Sequence, residues 1–218
     1  LVLAFSAFAG HSSNAETWPT RPITLVIGFA GGTGDTIGRP FAEFAAKELG
    51  QPVVVESRPA GGGIVAAHGV SKSQPDGYTI GLQAVGPMIL RPIMDPTVGF
   101  DADKDFTPIA LLFDAPNVII SGAKFPGHTV RESVDWAKQN PGRLTVGHPG
   151  PGTMGHLAAL LLASNAGFTG NYISYRNVTL MVTDLLGGQI DVGVAAYNPQ
   201  LKAARVLAVM TPEPVAFL

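Results

Sequence analysis

This chain repeats one pattern of three segments. An apolar run is followed by a glycine-rich loop, and the loop by a stretch with helical periodicity. Residues 23–28 form the first apolar run, four glycines lie between positions 28 and 34, and the apolar residues of 35–49 recur every three or four positions. The apolar run predicts a strand buried on both faces, and the periodic stretch predicts a helix. The repeated order predicts an α/β fold whose ligands bind beyond the carboxyl ends of parallel strands.

The same reasoning predicts further elements along the chain. Thr129 and Glu132 have the spacing of a capping box, and Gly167 stands where the C-terminal cap of a helix belongs. Strands are expected at 52–56, 78–82, 144–147, 171–174 and 190–194. A second glycine-rich loop with its helix is expected at 61–73, and further helices at 129–140, 156–167 and 178–188.

Two lobes, each a mostly parallel sheet flanked by helices, fit this organisation better than one. Two strand-like segments, 115–121 and 204–210, are expected to cross between the lobes and to form a hinge. We therefore predict lobe 1 over residues 16–116 and lobe 2 over residues 117–210. Residues 211–218 would begin a return of the chain to lobe 1.

The first fifteen residues have the features that end a secretory signal peptide. Their apolar stretch is followed by small residues, and Ser13-Asn14-Ala15 fits a small-x-Ala cleavage pattern, with a cut after Ala9 as the alternative. The apolar stretch is shorter than the about 20 residues that span a bilayer. We therefore predict that residues 1–15 are a signal-peptide remnant and that the mature protein is exported.

The composition argues against several classes of function. Charged residues make up 14% of the chain and the net charge is −2, which leaves no basic surface for nucleic acid or an anionic membrane. The absence of cysteine excludes disulfides, thiolate metal sites and cysteine nucleophiles. His148 and His156 have no nearby carboxylate or evident third ligand, so we predict no metal site there. His156 is expected instead to donate a hydrogen bond at a helix start.

Two glycine-rich loops, 28–36 and 147–156, each connect a predicted strand to a predicted helix. The first N–H groups of a helix are unpaired and the helix dipole adds partial positive charge, so such a loop can bind an anion. Two facing loops could clamp a carboxylate, although glycines also permit tight turns without any ligand. Asp35 is predicted to cap the first helix, with binding of a ligand ammonium group as the alternative. Hydroxyls that could either cap a helix or donate to a ligand belong to Thr33, Thr36 and Thr153.

An oxidoreductase is the alternative function. Gly28, Gly32 and Gly34 resemble the dinucleotide-binding glycines of short-chain dehydrogenases, and Glu56 ends the next predicted strand, where a ribose-binding acid would stand. The catalytic Tyr-x-x-x-Lys of that family is absent, because Tyr172 is followed four residues later by an arginine. No nucleophile elbow or P-loop is present either. We therefore predict a protein that is not an enzyme and needs no cofactor, with an NAD(P)-dependent dehydrogenase-like activity as the alternative.

From residue 18 onward the chain resembles the Bug (TctC) family, the extracytoplasmic solute-binding proteins of tripartite tricarboxylate transporters. The resemblance rests on six segments in the family's order: WPTRPITLVIGFAGGTGDTIGRPFA, LGQPVVVESRPAGGGIVAA, QPDGYTIGL, DKDFTPIALL, AKQNPGRLTVGHPGPGTMGHLAA and TDLLGGQIDVG. It implies a two-lobed periplasmic binding protein of the Venus-flytrap type that closes over a small carboxylate. It also implies membrane transporter subunits as partners and a monomeric protein. Because family members are longer, we expect this chain to be a truncated copy with an incomplete lobe 1.

The resemblance also implies which residues bind the ligand. The family holds a carboxylate in two loops, through backbone amides, hydroxyls and ordered water. In this chain the first loop would be Phe29, Ala30, Gly31, Gly32, Thr33, Gly34 and Asp35, and the second Gly150, Pro151, Gly152, Thr153 and His156. By the rule that ligands bind at the carboxyl ends of strands, Gln83, Ala84 and Tyr197 should line the cleft walls. The first loop is one residue shorter than is usual in the family, so its donors could be placed differently.

Overall fold

The computed structural model describes residues 18–29 and 33–211, which form two β-sheets with flanking helices. The signal-peptide prediction for residues 1–15 and the return predicted over 211–218 lie wholly or almost wholly outside the described residues. The strands are β1 (Ile23–Ile27), β2 (Val53–Ser57), β3 (Thr79–Leu82), β4 (Asn117–Ser121), β5 (Leu144–His148), β6 (Gly170–Ser174), β7 (Val192–Ala196) and β8 (Arg205–Val209). The α-helices are α1 (Thr33–Leu49), α2 (Ile64–Ser71), α3 (Arg91–Met94), α4 (Val130–Gln139), α5 (Met154–Ala166) and α6 (Val178–Gly187).

The smaller sheet has the order β2-β1-β3, and both of its pairings are parallel. In the central strand, Ile23, Leu25, Val26 and Ile27 are all buried, which confirms the strand predicted to be covered on both faces. Leu25 and Ile27 pack with Ala42 of α1, so the helix predicted after the first loop covers this sheet. We call this sheet, together with the helices and loops that connect its strands, the smaller-sheet lobe.

The larger sheet has the order β6-β5-β7-β4-β8 and forms the larger-sheet lobe. β4 is antiparallel to both of its neighbours, so four of the five strands run in one direction and β4 runs against them. Successive residues of β4 point to opposite faces. Val118 and Ile120 join a core that contains Met181 and Leu185 of α6, whereas Ile119 joins a second core on the other face.

The two segments predicted to cross between the lobes are neighbours in the larger sheet. β4 and β8 pair antiparallel, with Val118 opposite Val209 and Ser121 opposite Arg205, and the register shifts within β4. The two segments therefore lie side by side, which is the arrangement that a hinge of two strands would require. The domain boundaries at residues 116 and 210 stay predictions.

Helix ends follow local hydrogen-bonding rules, with two departures from the prediction. The hydroxyl of Thr129 accepts from the N–H of Glu132 at 3.1 Å, as a capping box requires. The carboxylate of Glu132 accepts from the N–H of His128 at 2.6 Å, one residue before the expected donor. α5 begins at Met154 rather than 156, because Thr153 caps it, and it ends at Gly167 with a left-handed φ of 69°.

A helical segment between β3 and β4 was not predicted from the sequence. It consists of a π-helical turn (Gly86–Leu90), α3 and a 3₁₀ turn (Pro96–Val98). Its three prolines argue against a helix at the level of sequence. In the structure each proline lies in the first turn of a short helical element, where no N–H donor is needed. In the part of the chain that the structure describes, no helix is both long and apolar enough to cross a membrane.

Candidate functional site

The loops that follow the carboxyl ends of the strands in the two lobes meet each other. Gly62 follows β2, Gly86 follows β3, and Gly150 and Gly152 follow β5. We call these four residues the interlobe glycines. A Cβ placed on Gly62 would lie 3.0 Å from the carbonyl oxygen of Pro151. One placed on Gly86 would lie 3.0 Å from the carbonyl oxygen of Gly152. The two lobes therefore touch backbone to backbone, at a separation that is tighter than most contacts of a Cβ atom.

Phe29 and Gly34 fix the described part of the first loop. Phe29 packs against the core of the smaller-sheet lobe, and a Cβ on Gly34 would overlap the carbonyl oxygen of Phe29. Ala30, Gly31 and Gly32 lie outside the described residues, as does the side chain of Thr33. The two described ends of the loop are thus in tight contact with each other.

The prediction that Asp35 caps α1 is wrong. The helix already begins at Thr33, so Asp35 lies within its first turn instead of preceding it. Its Oδ1 accepts a hydrogen bond from Nε of Arg39 at 2.7 Å, and this i,i+4 pair lies at the surface. An acidic residue in the first turn still complements the positive end of the helix dipole.

In the second loop, Thr153 ties the turn to α5. Its hydroxyl accepts from the N–H of His156 at 3.3 Å and donates to the carbonyl oxygen of Gly150 at 2.8 Å. Of the two roles open to this hydroxyl, the structure shows the cap. Pro151 is exposed and, like every proline, offers no N–H.

Two N–H groups of the second loop are bound by imidazoles. The N–H of Gly150 donates to Nδ1 of His148 at 3.2 Å, and the N–H of Gly152 donates to Nδ1 of His156 at 3.3 Å. A neutral imidazole accepts at one nitrogen and donates from the other, so Nε2 carries the proton in both residues. The His156 ring was predicted to donate at the helix start, but its contact there is that of an acceptor.

The two imidazoles stack on each other. Their ring centroids are 4.2 Å apart and their planes differ by 24°. Burial, with a smaller contribution from the neighbouring His156, lowers the pKa of His148 to about 4, and His148 is only 3% exposed. Burial also lowers the pKa of His156. Tyr172 lies edge-on to the His156 ring at 6.4 Å. Within residues 18–29 and 33–211, no cluster of three or more metal-binding side chains is found.

Arg91 reaches from α3 of the smaller-sheet lobe to the second loop. Its Cγ and Cδ occupy the space that a Cβ on Gly152 would need. Its Nη2 lies 3.5 Å from Oδ2 of Asp95, and its Nε is buried without a hydrogen-bond partner. Sequence reasoning did not identify Arg91, because it lies in the proline-rich segment for which no element was predicted.

The predicted cleft-wall residues lie at strand ends. Gln83 follows β3, and its Oε1 lies 3.2 Å from where a Cβ on Gly28, at the end of β1, would stand. Both polar atoms of the Gln83 amide are buried without a hydrogen-bond partner. The carbonyl oxygen of Ala84 accepts from the N–H of Met88 at 3.3 Å. Tyr197 follows β7, packs against the core that contains Met181, and donates its N–H to the carbonyl oxygen of Pro116 at 2.8 Å.

The sequence and the fold are similar to those of known proteins. A protein-family model, described as the tripartite tricarboxylate transporter family receptor (TctC), matches residues 37–213. A UPF0065 protein of Bordetella pertussis is 36% identical over 185 residues, which are 84% of this chain and 57% of that protein. The chain spans about three-fifths of the length of the curated relatives it matches.

Two solved structures from Rhodopseudomonas palustris carry small acids. Rpa4515 with adipate has a TM-score of 0.84 and 30% identity, over 90% of this chain and 68% of that one. MatC (Rpa3494) with bound malate has a TM-score of 0.82 and 28% identity, over 90% of this chain and 69% of that one. The α/β fold with two lobes predicted from the sequence is confirmed by this similarity.

Proposed function

Because this chain belongs to the tripartite tricarboxylate transporter receptor (TctC) family, we propose that it is a periplasmic solute-binding protein. It captures a small carboxylate and presents it to the membrane subunits of a tripartite transporter. The relatives solved with adipate and with malate support a carboxylate as the ligand. The observation that carries the proposal is the contact between the lobes at the interlobe glycines, since it brings the loops that follow β2 and β3 against the second candidate loop.

Closure of the lobes is the mechanism. A solute held between the lobes shifts the population toward the closed arrangement, and it does so only by its greater affinity for that arrangement. The first loop, from Phe29 to Asp35, supplies N–H donors at the start of α1. The N–H groups of Gly150 and Gly152 are already bound to imidazoles. The second loop therefore contributes the Nε2–H of His156, and its backbone sets the shape of the site.

The remaining ligand-binding residues of the proposal are Gln83, Ala84 and Tyr197, at the ends of β3 and β7. Pro151 and Thr153 shape the second loop instead of donating through the backbone. Thr153 N–H donates to the carbonyl oxygen of Gly150 at 3.3 Å, and its hydroxyl donates to the same oxygen. We place the protein in the periplasm as a monomer that uses no cofactor and catalyses no reaction.

The dehydrogenase alternative is less well supported. Glu56, the candidate ribose-binding acid, forms two hydrogen bonds with Arg58, Nε to Oε1 at 2.8 Å and Nη2 to Oε2 at 3.0 Å. The hydrogen bond from Arg58 lowers the pKa of Glu56, so the carboxylate is ionised and already paired. A ribose hydroxyl would have to compete with this bidentate partner.

A thermal-shift screen tests the proposal. The chain is melted alone and with each of a panel of small mono- and dicarboxylic acids, and with NAD(H) and NADP(H). A ligand at 100 times its dissociation constant stabilises the folded state by about 2.7 kcal/mol, which raises the melting temperature by several degrees. We expect such a rise with one or a few acids and none with the nucleotides. A rise with a nicotinamide nucleotide alone would overturn the proposal in favour of a dehydrogenase.

A further inference from the structure

Buried polar atoms without a partner are concentrated in the segment that follows β3. In the described part of the chain there are four such side-chain atoms, and three belong to Gln83 and Arg91. The fourth is Oγ of Ser121 in β4. Buried polar groups in folded proteins are nearly always hydrogen-bonded, so two unpaired atoms in one side chain mark a place where a partner outside the protein chain can bind.

We propose that Gln83 determines ligand specificity by accepting a hydrogen bond from a donor group on the ligand. The ligand class is then a carboxylic acid that carries a hydroxyl or amino substituent next to its carboxylate, rather than an unsubstituted acid. This inference rests on the proposed function, because it assumes that a carboxylate enters the space between the lobes.

The position of Gln83 places its amide at the edge where the first loop begins. Its Oε1 lies against Gly28, the residue that links β1 to that loop, and its Nε2 lies 3.1 Å from where a Cβ on Gly81 would stand. Gly63 also packs against Gly28, since a Cβ on Gly63 would lie 3.1 Å from the carbonyl oxygen of Gly28. Because Gly28 and Gly81 have no side chains, the amide lies directly against the backbone at the ends of β1 and β3.

The chemistry of an amide decides what the partner must offer. The NH₂ group donates and the carbonyl oxygen accepts. If the amide is flipped so that the two atoms exchange places, it still requires one acceptor and one donor. A carboxylate only accepts, so it satisfies Nε2 and leaves Oε1 unpaired. A neighbouring hydroxyl or ammonium group supplies the missing donor. Sites that bind a ligand hydroxyl through buried polar groups discriminate strongly against analogues that lack it.

Isothermal titration with matched acids tests the inference. The three pairs are succinate with malate, glutarate with 2-hydroxyglutarate, and glutarate with glutamate. They are titrated into the unmodified protein and into Gln83→Met, which keeps the length of the side chain and removes its polarity. We expect the unmodified protein to bind the substituted acid of at least one pair roughly tenfold or more tightly. Gln83→Met should bind both members of that pair about equally.

The controls separate this inference from the proposed function. Gln74→Met changes an exposed glutamine and should keep the preference of the unmodified protein. Gln83→Met removes two unpaired buried atoms, so its melting temperature should not fall, which excludes unfolding as the cause of lost discrimination. Equal affinities in the unmodified protein, or a preference that survives Gln83→Met, would refute the role of Gln83. A protein that binds no acid here and none in the thermal-shift screen would instead refute the proposed function.

Discussion

Gly86, in the turn that follows β3, lies against the carbonyl oxygen of Gly152 in the opposite lobe. A Cβ on Gly86 would stand 3.0 Å from that oxygen and 3.1 Å from Cα of Thr153. Gly86 lies in a helical turn and does not have a positive φ, so its own backbone tolerates a side chain. Contact between the lobes, and not the backbone conformation, is thus what disfavours a side chain at this position.

Gly86→Ala should therefore weaken ligand binding without unfolding the protein. Overpacking of a tight contact costs about 1–3 kcal/mol, which lowers affinity by about 5- to 150-fold if the cost falls only on the closed state. Alanine also favours the helical turn relative to glycine by roughly 0.5–1 kcal/mol. Titration with the acid found in the thermal-shift screen measures the affinity, and melting of the free protein measures the stability.

Gly187→Ala is the matched control for that experiment. Gly187 is the last residue of α6, and a Cβ there would meet only Cγ of Gln189, at 3.9 Å. The control should keep the affinity of the unmodified protein. Equal affinities for Gly86→Ala and Gly187→Ala would show that the contact at Gly86 plays no part in closure.

The contact between Arg91 and Gly152 should appear as an interaction energy in a double-mutant cycle. Gly152 has a left-handed φ of 76°, and the side chain of Arg91 fills the space of its missing Cβ. Gly152→Ala should destabilise the protein by the backbone strain, about 1–2 kcal/mol, plus the overlap with Arg91. In an Arg91→Ala background only the strain should remain. Urea denaturation of the four proteins measures the difference, which we expect to be about 1–2 kcal/mol.

Gly50→Ala isolates the strain in that cycle. Gly50 has a φ of 67°, and nothing lies within 4 Å of the position of its Cβ. Its substitution should cost the same in both backgrounds. If Gly152→Ala also costs the same with and without the arginine, the two lobes are not in contact through Arg91.

The spacing of apolar residues predicted the regular strands and helices, but it did not predict the contacts between them. The buried strand β1 and helix α4 were predicted because burial and helical spacing are local properties. The start of α1 was misplaced at Asp35, because a glycine-rich stretch does not show which residue takes the first helical turn. The glycines indicated tight turns, but the sequence does not tell which backbone lies opposite Gly62 or Gly86. The stacking of the two histidines likewise depends on how the turn after β5 folds back.

Asp191→Ala should destabilise the larger-sheet lobe. Oδ2 of Asp191 accepts from the N–H of Thr145 at 2.8 Å and from its hydroxyl at 2.6 Å. The N–H of Asp191 in turn donates to the Thr145 hydroxyl at 2.8 Å, which links β5 to the chain that enters β7. Loss of the carboxylate leaves the Thr145 N–H without an acceptor, at a cost of about 1–3 kcal/mol in the free energy of unfolding.

Urea denaturation of Asp191→Ala and of Asp135→Ala makes that comparison. Asp135 is an exposed residue of α4, so its substitution should change the stability by less than about 0.5 kcal/mol. Equal stabilities of the two variants would show that the Thr145–Asp191 hydrogen bonds contribute nothing net.

His148 should make the protein less stable in mild acid. Burial lowers its pKa from 6.5 to about 4 in the folded state, whereas the unfolded chain keeps the ordinary value. Between these two values the unfolded state binds more protons than the folded state, so the free energy of unfolding falls as the pH falls. The stabilisation is complete above about pH 6.5 and is lost by about pH 4, and its size is on the order of 3 kcal/mol at most.

Denaturation at several pH values between 4 and 7 measures this dependence, and His148→Asn should flatten it. An asparagine Oδ1 can still accept the N–H of Gly150, so the variant removes the titrating group and keeps an acceptor for the loop. His128→Asn replaces an exposed imidazole and should leave the slope of the unmodified protein in place. A slope that is the same in His148→Asn would mean that another group, and not the buried imidazole, links protonation to unfolding.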